Sequence, residues 1–378
     1  VVSYCNDARE KGQLFVSHRR GVITSIPKKG NQMQLQNKRP ICLLDVVYKI
    51  AAKVIALRLE NVVGSLVHCS QTGFMKGRYI GDNIRLISDV IEYCEMDDKE
   101  GVLLAIDYRS AFDSLEHDFI IFALESFNFG GSFISWIKLL YTNIVLAVKN
   151  NGFTSNWFPC SRGTFQGSPL SGLLFNLAVE MLAIKLRAAG RISGIVIGGE
   201  EIKVSQYADD MTLFLDTAVS VQNSMEMIAD FSIATGLEIN RQKCSLMWLG
   251  AARHRLEAIC GIDACRKIKI LGIWFSAVDC CDSDNVGNVI SKISSAMNSW
   301  QQRQLTIKGR IVIVRSLLVS QIVFTASCTK IAKVYLQQIQ SLIMKFIWRG
   351  RPPKVSKGTI CQSVRNGGLN AVDIERLY

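Results

Sequence analysis

Asp209 and Asp210 are adjacent carboxylates, preceded by Tyr207 and Ala208 and set between the apolar segments 195–204 and 211–215. If both segments are strands, the acids sit at a tight corner, where successive side chains need not point to opposite faces. Both can then face one site. Like charges a few ångströms apart raise each other's pKa, so the corner is costly unless it holds a cation. Magnesium is the natural guest for carboxylate oxygens. A third acid, Asp107, closes the apolar run 102–106, which reads as a buried strand. Asp is common in turns and at caps. Beside the Asp209-Asp210 corner, however, Asp107 would complete a set suited to two divalent ions roughly 3.5–4 Å apart, the arrangement that activates an attacking 3′-hydroxyl and stabilises a leaving pyrophosphate.

Positioning these acids requires a framework that local patterns outline. A short strand over 21–26 ends in the basic turn Pro27-Lys28-Lys29-Gly30. After Lys38-Arg39-Pro40-Ile41, a helix follows in which Val47, Ile50, Ala51, Val54 and Ile55 recur at helical spacing. Residues 71–78 form a glycine-punctuated loop, and 81–95 resume an amphipathic helix. A helix is expected through Phe122 to Phe127, and a hairpin over 145–158 turning at Asn150-Asn151-Gly152. The glycine-rich stretch 162–172 opens a helix through Leu174 to Leu186, where Pro169 suits the first turn and the helix N-terminus favours phosphate. A helix over 219–235 stops at Gly236, strands are expected at 245–249 and 270–275, and helices dominate from Asn285 onward, at 285–300, 309–325 and 331–348.

Hydrophobic residues make up 49% of the 378, ample for a sizeable core. The net charge of +12 is unevenly placed. Residues 1–80 carry 13 Lys and Arg against 4 Asp and Glu, residues 81–290 carry 17 against 26, and residues 291–378 carry 14 against 2. Basic flanks around an acidic middle suit a protein that neutralises nucleic-acid phosphates at its ends and binds cations at its centre. The 12 cysteines, Cys280-Cys281 among them, show no CxxC pair and no zinc spacing, and read as reduced core residues of an intracellular protein. The four His residues show neither metal nor triad spacing. Arg315 interrupts the longest apolar stretch, 311–326, so no membrane span is expected. A chain that begins at Val1 reads as a piece of a longer polypeptide.

The ordered motifs resemble the reverse transcriptase of LINE-type non-LTR retrotransposons across nearly the whole chain. KRPI with YKIAAKVIALRL, and QTGFMKGR, are similar to the fingers motifs; IDYRSAFDSLE resembles motif A, RGTFQGSPLSGLLFN motif B, YADD motif C, GLEINRQKCS motif D and LGIWF motif E. LTIKGRIVIVRSLL resembles the thumb, and FIWRGRPPK with NGGL the segment after it. The resemblance implies an α+β right-hand polymerase fold: fingers over 1–100, an antiparallel-sheet palm with interleaved fingers elements over 101–275, a helical thumb over 276–348 and a post-thumb segment over 349–378.

Residue by residue, it implies that Asp107, Asp209 and Asp210 bind the catalytic metals, two Mg2+ with Mn2+ as substitute. It also implies that Lys243 protonates pyrophosphate and that Phe112 is a steric gate against a ribose 2′-hydroxyl. Gln166 and Gly167 would pack against nucleotide and template, with Tyr207 in the same pocket, Arg39 and Arg78 would reach phosphates, and Leu271-Gly272 would form the primer grip. Expected partners are an RNA template, a DNA primer and dNTPs, with no membrane. An endonuclease domain is expected elsewhere in the full polypeptide, which would act as a ribonucleoprotein in nucleus and cytoplasm. Phe165, Ser168 and Gly172 depart from the family, which usually carries a polar or basic residue, Asp and Pro there. A decayed remnant that binds nucleic acid without catalysis, and a group II intron-type polymerase, are the alternatives; the intact acids favour the enzyme over the first, and no maturase-type region after the thumb favours the second.

Overall fold

The computed structural model of the chain describes residues 2–28, 30–277 and 282–377; Lys29 of the basic turn and the Cys280-Cys281 pair lie outside them. The described strands, in chain order, are β1 (Arg20–Pro27), β2 (Lys38–Leu44), β3 (Gly101–Ile106), β4 (Val145–Asn150), β5 (Phe153–Thr154), β6 (Phe158–Pro159), β7 (Ile195–Ile197), β8 (Glu200–Ile202), β9 (Val204–Tyr207), β10 (Asp210–Leu215), β11 (Ser245–Leu249), β12 (Lys267–Ile270) and β13 (Ile273–Ser276). The chain divides into two compact units, Val1–Asn83 with Val90–Arg266, and Ile84–Asp89 with Lys267–Tyr378.

The first unit is organised on an antiparallel sheet of order β11-β3-β10-β9. β3 and β10 are its middle strands, and each is an apolar run without polar alternation because both of its faces are covered. The helices Ser171–Ala188 and Ala218–Thr235 pack against this sheet. The second of these begins at Thr217, whose hydroxyl accepts from Ser220 N, and ends at Gly236 with φ 75°. A second sheet, of order β2-β1-β4-β5 with β6 also on β4, joins β1 to β2 antiparallel and β1 to β4 parallel. Leu44 and Leu146 from this sheet share one hydrophobic core with Leu104, Leu213 and Leu246 from the first.

In the second unit, the β12–β13 hairpin is tied to the helix Asp282–Gln301 by Asn285, whose side chain bonds Trp274 N and O at 2.8 and 3.0 Å. The helical run 307–328 passes through Ile307–Ile313, a π-helical turn Val314–Leu318 and Val319–Cys328. By length and composition it could cross a membrane. One face of it packs inward: Ile311, Val314, Leu318 and Ile322 are buried with Ile339, Ile343 and Phe346 of the helix Lys333–Ile347, and buried Arg310 donates to Phe346 O at 2.6 Å, while Val312, Leu317 and Val323 are exposed. Arg315 lies in the π-helical turn and is exposed.

The α+β class agrees with the sequence, and several local expectations are revised. The segment 195–204 is not one strand: Gly198 and Gly199 both take positive φ and fold it into the β7–β8 hairpin before β9 begins. The segment 270–275 is likewise split, by Leu271 at φ 50° and Gly272 at φ 88°, into the β12–β13 hairpin. Helix Val46–Glu60 buries Tyr48, Ala51, Ala52, Ile55, Ala56 and Leu59, whereas Ile50 and Val54 are exposed. The buried face thus combines Ala51, Ala52 and Ala56 with Tyr48, Ile55 and Leu59, and is rotated away from Ile50 and Val54. The ten described cysteines are all free thiols, with Cys42, Cys94 and Cys244 buried and Cys69 exposed.

Candidate active site

β9 and β10 pair Tyr207 with Asp210 and Gln206 with Met211, leaving Ala208 and Asp209 as a two-residue turn. Ala208 takes φ 54°, a left-handed conformation that costs an L-residue roughly 1–2 kcal/mol. Gln71 holds it there. Its Oε1 accepts from Ala208 N at 2.8 Å and Gly73 N at 2.9 Å, and its Nε2 donates to Ala208 O at 3.2 Å. The loop carrying Gln71 also lies along β9, with Thr72 N donating to Gln206 O at 3.0 Å and Gln206 N to Ser70 O at 2.9 Å. Asn83 adds bonds to Ser205 Oγ and Gln206 O, and Asn176 donates to Gly73 O. A Cβ on Gly73 would stand 2.3 Å from Ala208 N, so glycine alone lets the loop lie this close. Sequence reasoning missed Gln71, Asn83 and Asn176, whose partners are more than a hundred positions away; the glycine-punctuated loop was their one local signal.

Ile106 pairs with Met211, so one step further along β3 Asp107 comes opposite Asp210. The Asp107 main chain is fixed on both sides, with N donating to Cys244 Sγ at 3.4 Å and O accepting from Asn240 N at 2.7 Å. Electrostatics agree with convergence. Burial, followed by the charges of Asp209 and Asp107, pushes Asp210 up to about 6. Burial also raises Asp107, opposed by Lys243, whose Nζ is 4.0 Å from Oδ2, and reinforced by Asp209. Asp209 is raised by burial and drawn back by Arg39 and Lys28.

Among the described residues, no group of three or more His, Cys, Asp or Glu side chains is drawn together closely enough to hold a metal ion by itself. Asp107, Asp209 and Asp210 are nonetheless an all-carboxylate set, with Asp107 and Asp209 half-buried; Asp210 is reached by solvent along part of its side chain, while surrounding protein crowds its carboxyl group. That chemistry fits magnesium, which is commonly bound by one or two carboxylates together with substrate phosphates rather than by an all-protein cage.

Lys28 and Arg39 stand at the loop end of the β1–β2 hairpin, where Pro27 pairs with Lys38 and Ile26 with Arg39. Lys28 acts electrostatically on Asp107, Asp113 and Asp209, a role visible in the sequence only as part of a basic turn. Phe112 lies in the short helix Ala111–Ser114 and stacks on Phe175 at 4.3 Å. The motif B loop is laced to its surroundings: Gln166 Nε2 donates to both oxygens of Asp113 at 3.1 and 3.0 Å, and Cys42 N donates to Gln166 O at 2.8 Å. Burial pushes Asp113 up to about 6 against that bond. Gly167 has φ 135°, and a Cβ there would stand 2.4 Å from Cys42 O. Gln166 is thus engaged with Asp113, while Gly167 permits the approach to β2.

Residues 26–275 match the reverse transcriptase (RNA-dependent DNA polymerase) family. The chain belongs to that family. It is 31% identical over 375 residues to the transposon TX1 uncharacterized 149 kDa protein of Xenopus laevis, covering 97% of this chain and 28% of that protein. It is 26% identical over 376 residues to the retrovirus-related Pol polyprotein from the type-2 retrotransposable element R2DM of Drosophila melanogaster, covering 95% and 34%. The chain therefore spans about a third or less of the length of these curated relatives. Among solved structures, apo telomerase from Candida tropicalis superposes with a TM-score of 0.54 at 12% identity, covering 92% of this chain and 62% of that one. The fold is that of a right-hand polymerase.

The remaining expected site residues divide by what they touch. Tyr207 is half-buried and lines a cleft of about 520 Å3 with Thr72, Phe74, Lys76 and Tyr79. Arg78 spends its guanidinium on the main-chain carbonyls of Gly64, Val67, His68 and Gln71. It braces the Gln71 loop and is not a free phosphate ligand. Leu271 and Gly272 form the tip of the β12–β13 hairpin in the second unit.

Proposed function

We propose that this chain is the polymerase segment of a non-LTR retrotransposon protein and extends a primer 3′-hydroxyl with dNTPs on an RNA template. The observation that carries the reading is the strand register, which sets Asp209 and Asp210 at the β9–β10 turn and brings Asp107, at the end of β3, opposite Asp210. Asp107, Asp209 and Asp210 would hold two divalent ions, Mg2+ or in substitution Mn2+, which when bound activate the 3′-hydroxyl and stabilise the leaving pyrophosphate.

The chain's own residues do the rest. Lys28 and Arg39 draw the triphosphate toward the acids by charge, Phe112 excludes a 2′-hydroxyl, and Gln166 and Gly167 shape the pocket wall. Lys243, beside Asp107, holds a proton that it can give to the departing pyrophosphate. Leu271 and Gly272 grip the primer. The full polypeptide carries its endonuclease elsewhere and acts as a ribonucleoprotein in cytoplasm and nucleus.

Primer extension on an RNA template tests the reading. Wild type incorporates dNTPs, and Asp209→Asn loses about a thousandfold in kcat, the scale seen when a principal electrostatic group is removed. Equal inactivity of both proteins would instead support a remnant that binds nucleic acid without copying it.

A further inference from the structure

Phe74 is unusual on three counts. Its backbone takes φ 55°, an outlier for a bulky residue and the kind of strain that persists where surrounding structure enforces it. The residue is 59% exposed although both neighbours, Gly73 and Met75, are buried. And the ring sits on Gly172: a Cβ on that glycine would stand 2.6, 2.8 and 2.9 Å from ring atoms Cγ, Cδ1 and Cδ2. Gly172 is therefore the seat that lets an exposed aromatic side chain fold down onto the start of the helix Ser171–Ala188.

The seated ring meets Phe112 edge-on, at 5.8 Å between centroids and 82° between planes. On its other side Phe112 stacks on fully buried Phe175, at 4.3 Å and 26°. Phe112 is thus held between a ring that cannot move and a ring that reaches solvent. Phe175 belongs to the core, while Phe74 also lines the cleft shared with Thr72 and Tyr207. Of the two supports, Phe74 is the adjustable one.

We propose that Phe74, seated on Gly172, is a specificity-determining positioning residue: it sets how far the Phe112 ring reaches toward the 2′ position of an incoming nucleotide. The inference rests on Phe112 acting as the sugar gate. Truncating Phe74 removes an edge-to-face partner, and Phe112 gains room to swing away from the sugar. Adding a methyl group at Gly172 lifts the Phe74 ring off its seat and has the same consequence by another route. Because both changes act through one contact, their effects do not add.

The test measures kcat/KM for a dNTP and for the matching rNTP in primer extension, with wild type, Phe74→Ala, Phe74→Tyr, Gly172→Ala, the Phe74→Ala/Gly172→Ala double variant and Phe112→Val, each checked for folding by thermal melt. The dNTP-to-rNTP ratio is expected to fall about tenfold in Phe74→Ala and in Gly172→Ala, the scale of a small steric change in a binding pocket. The double variant should fall no further than the worse single, and Phe74→Tyr should stay near wild type. A simple packing defect would lower both substrates together and leave the ratio unchanged, which overturns the proposal. If Phe112→Val collapses the ratio while Phe74→Ala and Gly172→Ala leave it intact, Phe74 has no such role and the gate stands. If Phe112→Val also leaves it intact, the gate assignment fails and this inference with it.

Discussion

At Asp210 the crowding of three acids bears on the stability of the fold. A carboxylic acid raised to about 6 in the fold keeps its proton where the unfolded chain, near pH 4, has lost it. The folded state then binds more protons between those values, so stability is highest below about pH 4, falls as pH rises toward 6, and stays lower above it. Asp113, also pushed up to about 6, adds to the same slope. Asp210→Asn should therefore stabilise the ion-free protein at pH 7, raising Tm by roughly 2–4 °C for each kcal/mol relieved, and should flatten the pH dependence in melts with a chelator. Adding Mg2+ should raise the Tm of wild type more than that of the variant, because a ligand that binds only the folded state stabilises it. A Tm that does not rise in Asp210→Asn at pH 7 would show that the crowding of the three acids carries no strain.

The element that matters most is the Ala208-Asp209 turn and the loop that braces it. Gln71→Leu removes three hydrogen bonds and leaves buried main-chain groups unsatisfied, at about 1–3 kcal/mol for each group stranded. Extension should drop by about tenfold or more as the turn loosens, since roughly 1.4 kcal/mol of transition-state stabilisation is a factor of ten. Gly167→Ala puts a methyl 2.4 Å from Cys42 O at φ 135°, and should destabilise by at least roughly 2 kcal/mol in a denaturant melt. An unchanged midpoint there would mean that the motif B loop is not held against β2.

Elements with a strong local signature were legible. β3 showed an unbroken apolar run, the hairpin at Asn151 and Gly152 an Asn-Gly turn, and the helix ending at Gly236 its stop signal. Turns inside apolar runs were not: Gly198-Gly199 and Leu271-Gly272 each divided what reads as one strand. β2 was hidden because Lys38, Arg39 and Pro40 look like a loop until β1 pairs with them. The acids could be singled out by residue type, but the residues that hold them could not. Gln71 reaches Ala208 across 137 positions, and nothing beside it in the chain says so. Arg78 shows the converse. Its charge suggested phosphate, whereas the fold engages it with four carbonyls.

Over the whole molecule, charge is segregated: +9 in residues 1–80, −9 in 81–290 and +12 in 291–378, from the Lys and Arg against Asp and Glu counts above. Affinity for an RNA–DNA hybrid should consequently fall steeply with salt, as each phosphate contact releases a counterion and log Kd shifts by about 0.7–0.9 per contact for each decade of salt. A flat salt response would contradict the polyanion role of the basic flanks.

The central claim is that Asp107, Asp209 and Asp210 act on the same pair of ions. Crystals grown with primer-template, a non-hydrolysable dNTP and Mn2+ test it most directly by anomalous diffraction. The account predicts manganese peaks roughly 3.5–4 Å apart, bounded by carboxylate oxygens of Asp107 on one side and of the β9–β10 turn on the other. Peaks that touch the turn but leave Asp107 unliganded, with nucleotide in place, would contradict it.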